Sequence, residues 1–123
     1  MDIVSRQRIN ILIHLAEIQS VTTSSPVLSL IERVADECKF PQQELDSLIS
    51  SPDSIGSFGA LSESQKKLYM YNICELMTLV NLNQQKKLLC YKLAYDLNYD
   101  SNQLNLILDE FQNQRQLQLS KNY

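Results

Sequence analysis

The sequence predicts an all-α fold, a compact bundle of six to seven helices built from two related three-helix halves. First, its 123 residues include only two glycines, whereas β-sandwiches and barrels consume glycine in many tight turns. Second, apolar residues, 44% of the chain, recur at helical spacing. Third, capping residues precede these apolar stretches. The length is that of one ordinary domain, residues 1–123.

Three helices are predicted in the first half, residues 5–50. The first covers about Ser5–Gln19. Ser25 and Pro26 are typical of an N-cap followed by the first helical position, and Pro41 begins a short third helix. The expected core residues are Ile9, Leu12, Ile13 and Ala16, then Val27, Leu30, Ile31, Val34, Ala35 and Cys38, then Leu45, Leu48 and Ile49.

A long loop, residues 51–61, is predicted to join the halves because it is dense in turn formers and contains both Gly56 and Gly59. After it, Ser62 and Gln65 have the spacing of a capping box, which predicts the start of a fourth helix. That helix is apolar on nearly every side from Leu68 to Leu82, so we expect it to be the buried helix at the centre of the bundle.

The second half, residues 62–114, ends with two more predicted helices. The fifth covers about Gln84–Leu97. Asp100 and Gln103 predict the cap of the sixth, whose chain is expected to fray beyond Gln114. The expected core residues of the sixth helix are Leu104, Ile107, Leu108 and Phe111.

An internal repeat links the two halves at a displacement of 59 residues. Residues 32–40 then align with residues 91–99, and the shared features are an alanine, an aromatic residue at the helix exit and a short capped helix. Leu45 and Leu48 fall on Leu104 and Ile107. A duplication explains this agreement; the alternative is that any two amphipathic helix pairs can be aligned.

The second half resembles the TerB-like family, which is named after a tellurite-resistance protein. Residues 75–80 and 88–99, ELMTLV and LLCYKLAYDLNY, carry the resemblance, which extends over about residues 11–111. It implies an all-α domain of two helical repeats, with glycine common where this chain has Asn98. Asparagine is the next-best residue for the left-handed cap that this position needs.

The chain departs from the family in its acidic turn, Asp-Gly-x-Val-Ser-x-x-Glu. Aligned on Ala94, the family's Asp-Gly falls at Leu79 and Val80 and its glutamate falls at Lys86. The first repeat lacks the carboxylates too. Because Ca²⁺ and Mg²⁺ need several hard oxygen ligands, metal binding of the family type is not expected, and no cofactor is predicted.

Single reactive side chains give no catalytic set. His14 is the only histidine, and Cys38, Cys74 and Cys90 lie on apolar stripes, where cysteine behaves as a small hydrophobe. The acidic pairs at residues 36–37 and 109–110 are sequence neighbours whose side chains diverge on a helix. No nucleophile, base and orienting group can be assembled, so the chain is predicted not to be an enzyme.

Two lysine doublets, Lys66 with Lys67 and Lys86 with Lys87, could form a modest anion patch. The alternative is that they only keep a net-acidic protein in solution. The net charge is −3, which argues against nucleic acid as the main partner.

The strongest indication of function is a stripe on the fifth helix, Leu88, Tyr91 and Tyr95, hereafter the α5 stripe. At about 100° per residue it lies opposite the core face of the helix. The resemblance implies polar residues there, whereas Leu and Tyr suit an interface. The alternative is that the first helix or the loop covers the stripe.

These features predict a cytoplasmic, non-enzymatic TerB-like domain that binds a protein partner or self-associates, for example as a homodimer, in a bacterial stress response. The three cysteines lack the spacing of a disulfide frame, and no signal peptide or membrane insertion is expected. Two alternatives stay open: a metal-binding protein of the tellurite-resistance type, and a small helical regulator of nucleic acid.

Overall fold

The chain folds into six α-helices, and residues with an assigned conformation include no strand. The structure is a computed structural model that describes residues 3–16, 26–56 and 58–121, with side chains as far as Gln114. The predicted all-α class is confirmed. The helices are α1 (Ile3–Ala16), α2 (Pro26–Glu37), α3 (Gln42–Ser50), α4 (Glu63–Leu79), α5 (Gln84–Asp96) and α6 (Ser101–Lys121).

The helices divide between two compact units, Met1–Leu61 and Ser62–Tyr123. In the first unit α1 packs against α2 and α3. In the second unit α6 packs against both α4 and α5. Each unit therefore contains three helices that contact one another around its own apolar residues.

Helix α1 is buried on nearly every side, which the sequence analysis expected of the fourth helix instead. Residues 8–13 are all buried, including Arg8 and Asn10. The Arg8 guanidinium donates to Glu37 Oε2 at 3.2 Å and to Cys38 Sγ at 3.7 Å, so a buried charge is paired at the end of α2. The predicted end of the first helix at Gln19 and the Ser25 cap lie outside the described residues.

The second and third helices bury the side chains that their spacing predicted. Val27, Leu30, Ile31, Val34 and Ala35 of α2 are buried, as are Leu45, Leu48 and Ile49 of α3; Cys38, just after α2, is half-buried. Pro41 stands before α3 with an extended backbone.

Helix α4 is not buried on every side, and this corrects the expectation for residues 68–82. It ends at Leu79, and Leu68 is 49% exposed. Its buried residues are Tyr69, Met70, Asn72, Ile73, Cys74 and Leu76. The apolar run misled because Leu68 lies in the first two turns, ahead of the buried segment. The Ser62 capping box is present, with Gln65 N–H donating to Ser62 Oγ at 3.1 Å.

Helix α6 also differs from its prediction, because it continues to Lys121 rather than fraying after Gln114. Its final residues are mostly Gln, Leu, Arg and Lys, which are good helix formers. Its start is as predicted: Gln103 N–H donates to Asp100 Oδ1 at 2.8 Å, and Asp100 N–H donates to Gln103 Oε1 at 2.9 Å.

The same Schellman motif ends α2 and α5. Phe40 N–H donates to the Ala35 carbonyl and Tyr99 N–H to the Ala94 carbonyl, both at 2.8 Å. The residue before each aromatic is left-handed, with φ of 56° at Lys39 and 68° at Asn98. The inner bonds, Lys39 N–H to Asp36 and Asn98 N–H to Tyr95, complete both motifs. These pairs lie 59 residues apart, so the repeat extends to backbone hydrogen bonding.

The first helix of each unit repeats at a displacement of 61 residues instead. Arg8, Ile9, Ile11, Leu12, Ile13 and Leu15 fall on Tyr69, Met70, Asn72, Ile73, Cys74 and Leu76, and every member of both sets is buried. The two halves therefore differ by two residues between their first and second helices. A register search at one fixed displacement misses this agreement.

We predict that Lys39→Gly stabilises the chain by about 0.5–1 kcal/mol, because glycine adopts a positive φ without the steric penalty of a Cβ. Asn98→Gly should gain less, since asparagine tolerates this conformation better than lysine does. Urea unfolding followed by circular dichroism measures both changes. Lys92→Gly, at an exposed position inside α5, is the control and should lose about 1 kcal/mol. A loss of that size in Lys39→Gly would contradict the prediction.

Candidate functional site

The α5 stripe lies at the surface. Leu88 is 60% exposed, Tyr91 37% and Tyr95 78%. The opposite face of the same helix carries the buried side chains Cys90, Leu93 and Ala94. The alternative that another segment covers the stripe therefore does not hold.

The first unit provides an internal comparison for the α5 stripe. At the displacement of 59 residues, Leu88, Tyr91 and Tyr95 correspond to Ser29, Glu32 and Asp36 of α2, and these three are also exposed. The same helix position thus carries polar side chains in one unit and apolar or aromatic ones in the other. The fold itself does not require leucine and tyrosine there.

Tyr91 is held in place by the neighbouring helix. Its hydroxyl donates to Asn105 Oδ1 of α6 at 3.2 Å. This bond fixes the ring on the outside of the α5–α6 pair and explains why Tyr91 is the least exposed member of the stripe. A tyrosine that is already ordered loses less conformational entropy when a partner covers it.

A cleft of about 350 Å³ adjoins the stripe where α5 turns into α6. Its lining residues, hereafter the α5–α6 cleft, are Tyr95, Asn98, Tyr99, Asp100 and Gln103. Tyr95 belongs to both the stripe and the cleft. Burial, together with the nearby Glu63 carboxylate, raises the pKa of Tyr99, so its hydroxyl stays protonated at neutral pH.

The four lysines of the predicted anion patch have different surroundings. Lys66 Nζ lies 3.4 Å from Glu63 Oε1, and Lys67 Nζ lies 5.6 Å above the Tyr71 ring. Lys86 and Lys87 stand in the first turn of α5, half-buried and exposed respectively. Two of the four therefore already have partners on α4, which leaves Lys87 as the exposed member beside the stripe.

Two of the three cysteines are core residues. Cys74 and Cys90 are fully buried, and burial raises the pKa of each thiol to about 12. Both are therefore neutral thiols at physiological pH and poor nucleophiles. Cys38 differs, because it is half-buried and accepts the hydrogen bond from Arg8.

The acidic pairs do not build a catalytic or metal site. Glu37 pairs with Arg8, and Asp109 and Glu110 are both exposed on α6. Within the described ranges, no three His, Cys, Asp or Glu side chains are grouped closely enough to hold a metal ion. No helix in the described part of the chain is both long and apolar enough to cross a membrane.

A polar cluster around Asp53 holds the loop of the first unit on α1. Arg6 donates to both carboxylate oxygens of Asp53, at 2.6 and 3.1 Å. The Asn10 side chain donates to the Asp53 carbonyl and accepts from its N–H, both at 2.9 Å, and His14 Nε2 lies 2.5 Å from the same carbonyl. His14 thus contacts loop backbone, and the structure gives it a positional role.

Sequence reasoning missed both this cluster and the cleft. One signal was available for the cluster: Arg6, Asn10 and His14 recur every four residues and so lie on one face of α1. For the cleft, Asn98, Asp100 and Gln103 were named as capping residues only. Nothing in their spacing indicates that helix caps also line a cavity.

Comparisons of this chain with models of protein families, with curated proteins and with solved structures found no match.

We predict that Asp53→Asn lowers stability at pH 7 by less than about 1 kcal/mol, because the ion pair it removes is partly exposed. Hydrogen bonds from Arg6 hold the pKa of Asp53 below its usual value. A lowered carboxyl pKa stabilises the fold above the unfolded value, about 3.9, and this contribution is lost as the pH falls through the folded pKa. The difference from wild type should therefore vanish near pH 2.

Urea midpoints at pH 7 and at low pH measure this effect. Glu32→Gln, which removes an exposed acid from α2, is the control and should show no such convergence. A difference for Asp53→Asn that stays constant across the pH range would contradict the ion-pair explanation.

We predict that iodoacetamide modifies one thiol of the native chain, Cys38, because the other two are buried and protonated. Mass spectrometry should find one adduct per chain at pH 8 and three after unfolding in urea. Cys38→Ser should leave the native chain unmodified. Rapid native labelling of Cys74 or Cys90 would show that the second unit opens far more readily than its burial indicates.

Proposed function

We propose that this chain is a non-enzymatic, TerB-like interaction domain that binds a protein partner through the α5 stripe. The observation that carries the proposal is the contrast between two equivalent helix faces. Leu88, Tyr91 and Tyr95 are exposed where α2 presents Ser29, Glu32 and Asp36. Exposed apolar groups that a fold does not need cost solubility, so an interface is the simplest reason to keep them.

The TerB-like assignment is supported by the resemblance of the second half and by the backbone at Asn98. Its φ of 68° is the conformation for which the family pattern often uses glycine. The cytoplasmic location and the bacterial stress-response setting are part of the same proposal. They draw support from the resemblance and from three cysteines without the spacing of a disulfide frame.

The proposal predicts that a photo-reactive amino acid at position 95 cross-links a protein in the cells that normally make this chain. The adduct should disappear when L88S and Y91E are added. The matched control is the same photo-reactive residue at position 36, which holds the equivalent place on α2 and should give no adduct.

Equal adducts at both positions, or none at position 95, would contradict the proposal. An adduct with the mass of two chains would identify self-association as the interaction. Calorimetric binding of Ca²⁺, Mg²⁺ or Zn²⁺ with a Kd below about 100 µM would favour the metal-binding alternative instead.

A further inference from the structure

We infer that the partner of the α5 stripe is an acidic amphipathic helix from another protein. This inference rests on the proposed function and adds the chemistry of the partner. It is argued from the shape of the stripe, from the charges beside it and from the area that it offers.

The stripe has the dimensions of a helix-binding face. Leu88, Tyr91 and Tyr95 follow one another at i, i+3 and i+7, so they extend about 10 Å along two turns of α5. A partner helix presents apolar residues at the same intervals. Tyr91 is fixed by Asn105, and Tyr95 borders the α5–α6 cleft, which offers room for one further side chain.

Lysines stand on both sides of the stripe. At 100° per residue, Lys87 and Lys92 project about 70° to either side of the centre of the stripe, and both are exposed. Asp96, the only acid of α5, projects farther away, at about 105°. The N-terminal end of the helix dipole, where Lys86 also lies, adds positive potential at the Leu88 end. Carboxylates flanking an apolar seam would complement this arrangement.

A second copy of this chain fits the stripe less well. Two α5 helices that pair face to face bring lysine against lysine in either orientation, because lysines occupy both flanks. The three side chains also offer at most about 400 Å² of exposed surface. A standard stable interface uses about 800 Å² from each partner. A short helical segment needs less area than a dimer and meets no like charge.

The test uses two synthetic helical peptides, each carrying three leucines at i, i+3 and i+7. One has glutamates on both flanks of the leucines and the other has lysines at the same places. Fluorescence anisotropy with the full chain should show binding of the glutamate peptide and binding at least about tenfold weaker for the lysine peptide.

Three variants locate the interaction. L88S/Y91E/Y95D copies the residues of α2 onto α5, so the fold should accept it, and it should abolish binding. K87E/K92E should reverse the preference between the peptides. R33E/K39E reverses two exposed charges in the first unit and should leave the preference unchanged. Circular dichroism confirms that each variant is folded.

The inference is overturned if neither peptide binds at up to about 1 mM, if both bind equally, or if K87E/K92E keeps the glutamate preference. Sedimentation that shows a dimer broken by L88S/Y91E/Y95D would also overturn it, in favour of a second copy. The proposed function is judged separately: cross-linking at position 95 that K87E/K92E leaves intact supports an interface whose partner is not acidic.

Discussion

The hydrogen bond from Tyr99 N–H to the Ala94 carbonyl is the constraint on which the candidate site depends. It closes the Schellman motif that ends α5, and it requires Asn98 to adopt a left-handed backbone. The chain then turns at once into the Asp100 cap of α6, so the two helices are joined without a flexible linker. This sharp turn brings α6 beside α5, where Asn105 can hold Tyr91.

Because both halves use this motif, each serves as a reference for the other. Lys39 occupies the left-handed position in the first unit, at a greater steric cost than Asn98 pays in the second. The backbone and the buried positions agree between the units, whereas the outer faces of α2 and α5 do not. Differences confined to exposed positions on a shared framework mark where the two helices serve different roles.

The sequence was sufficient to predict what depends on local periodicity and capping: six helices, the caps at Ser62 and Asp100, and the exposed side of α5. It failed where a residue's environment depends on tertiary packing. The pairing of Asn10 with Asp53 joins positions 43 residues apart, and no local pattern encodes it. Leu68 looks like its buried neighbours in sequence, yet the packing of α4 leaves it exposed.

The lysines beside the α5 stripe serve two physical ends at once. An exposed row of leucine and tyrosine invites association between identical copies, and flanking charges of one sign oppose this because each copy presents the same charge to the other. The same charges attract a helix of opposite sign, so protection against self-association and selection of an acidic partner need no separate devices. On α2, where Glu32 and Asp36 replace the tyrosines, no apolar row needs protection, and the position of Lys87 is held by the buried Leu28. The lysine at 87 therefore accompanies the apolar stripe rather than the fold.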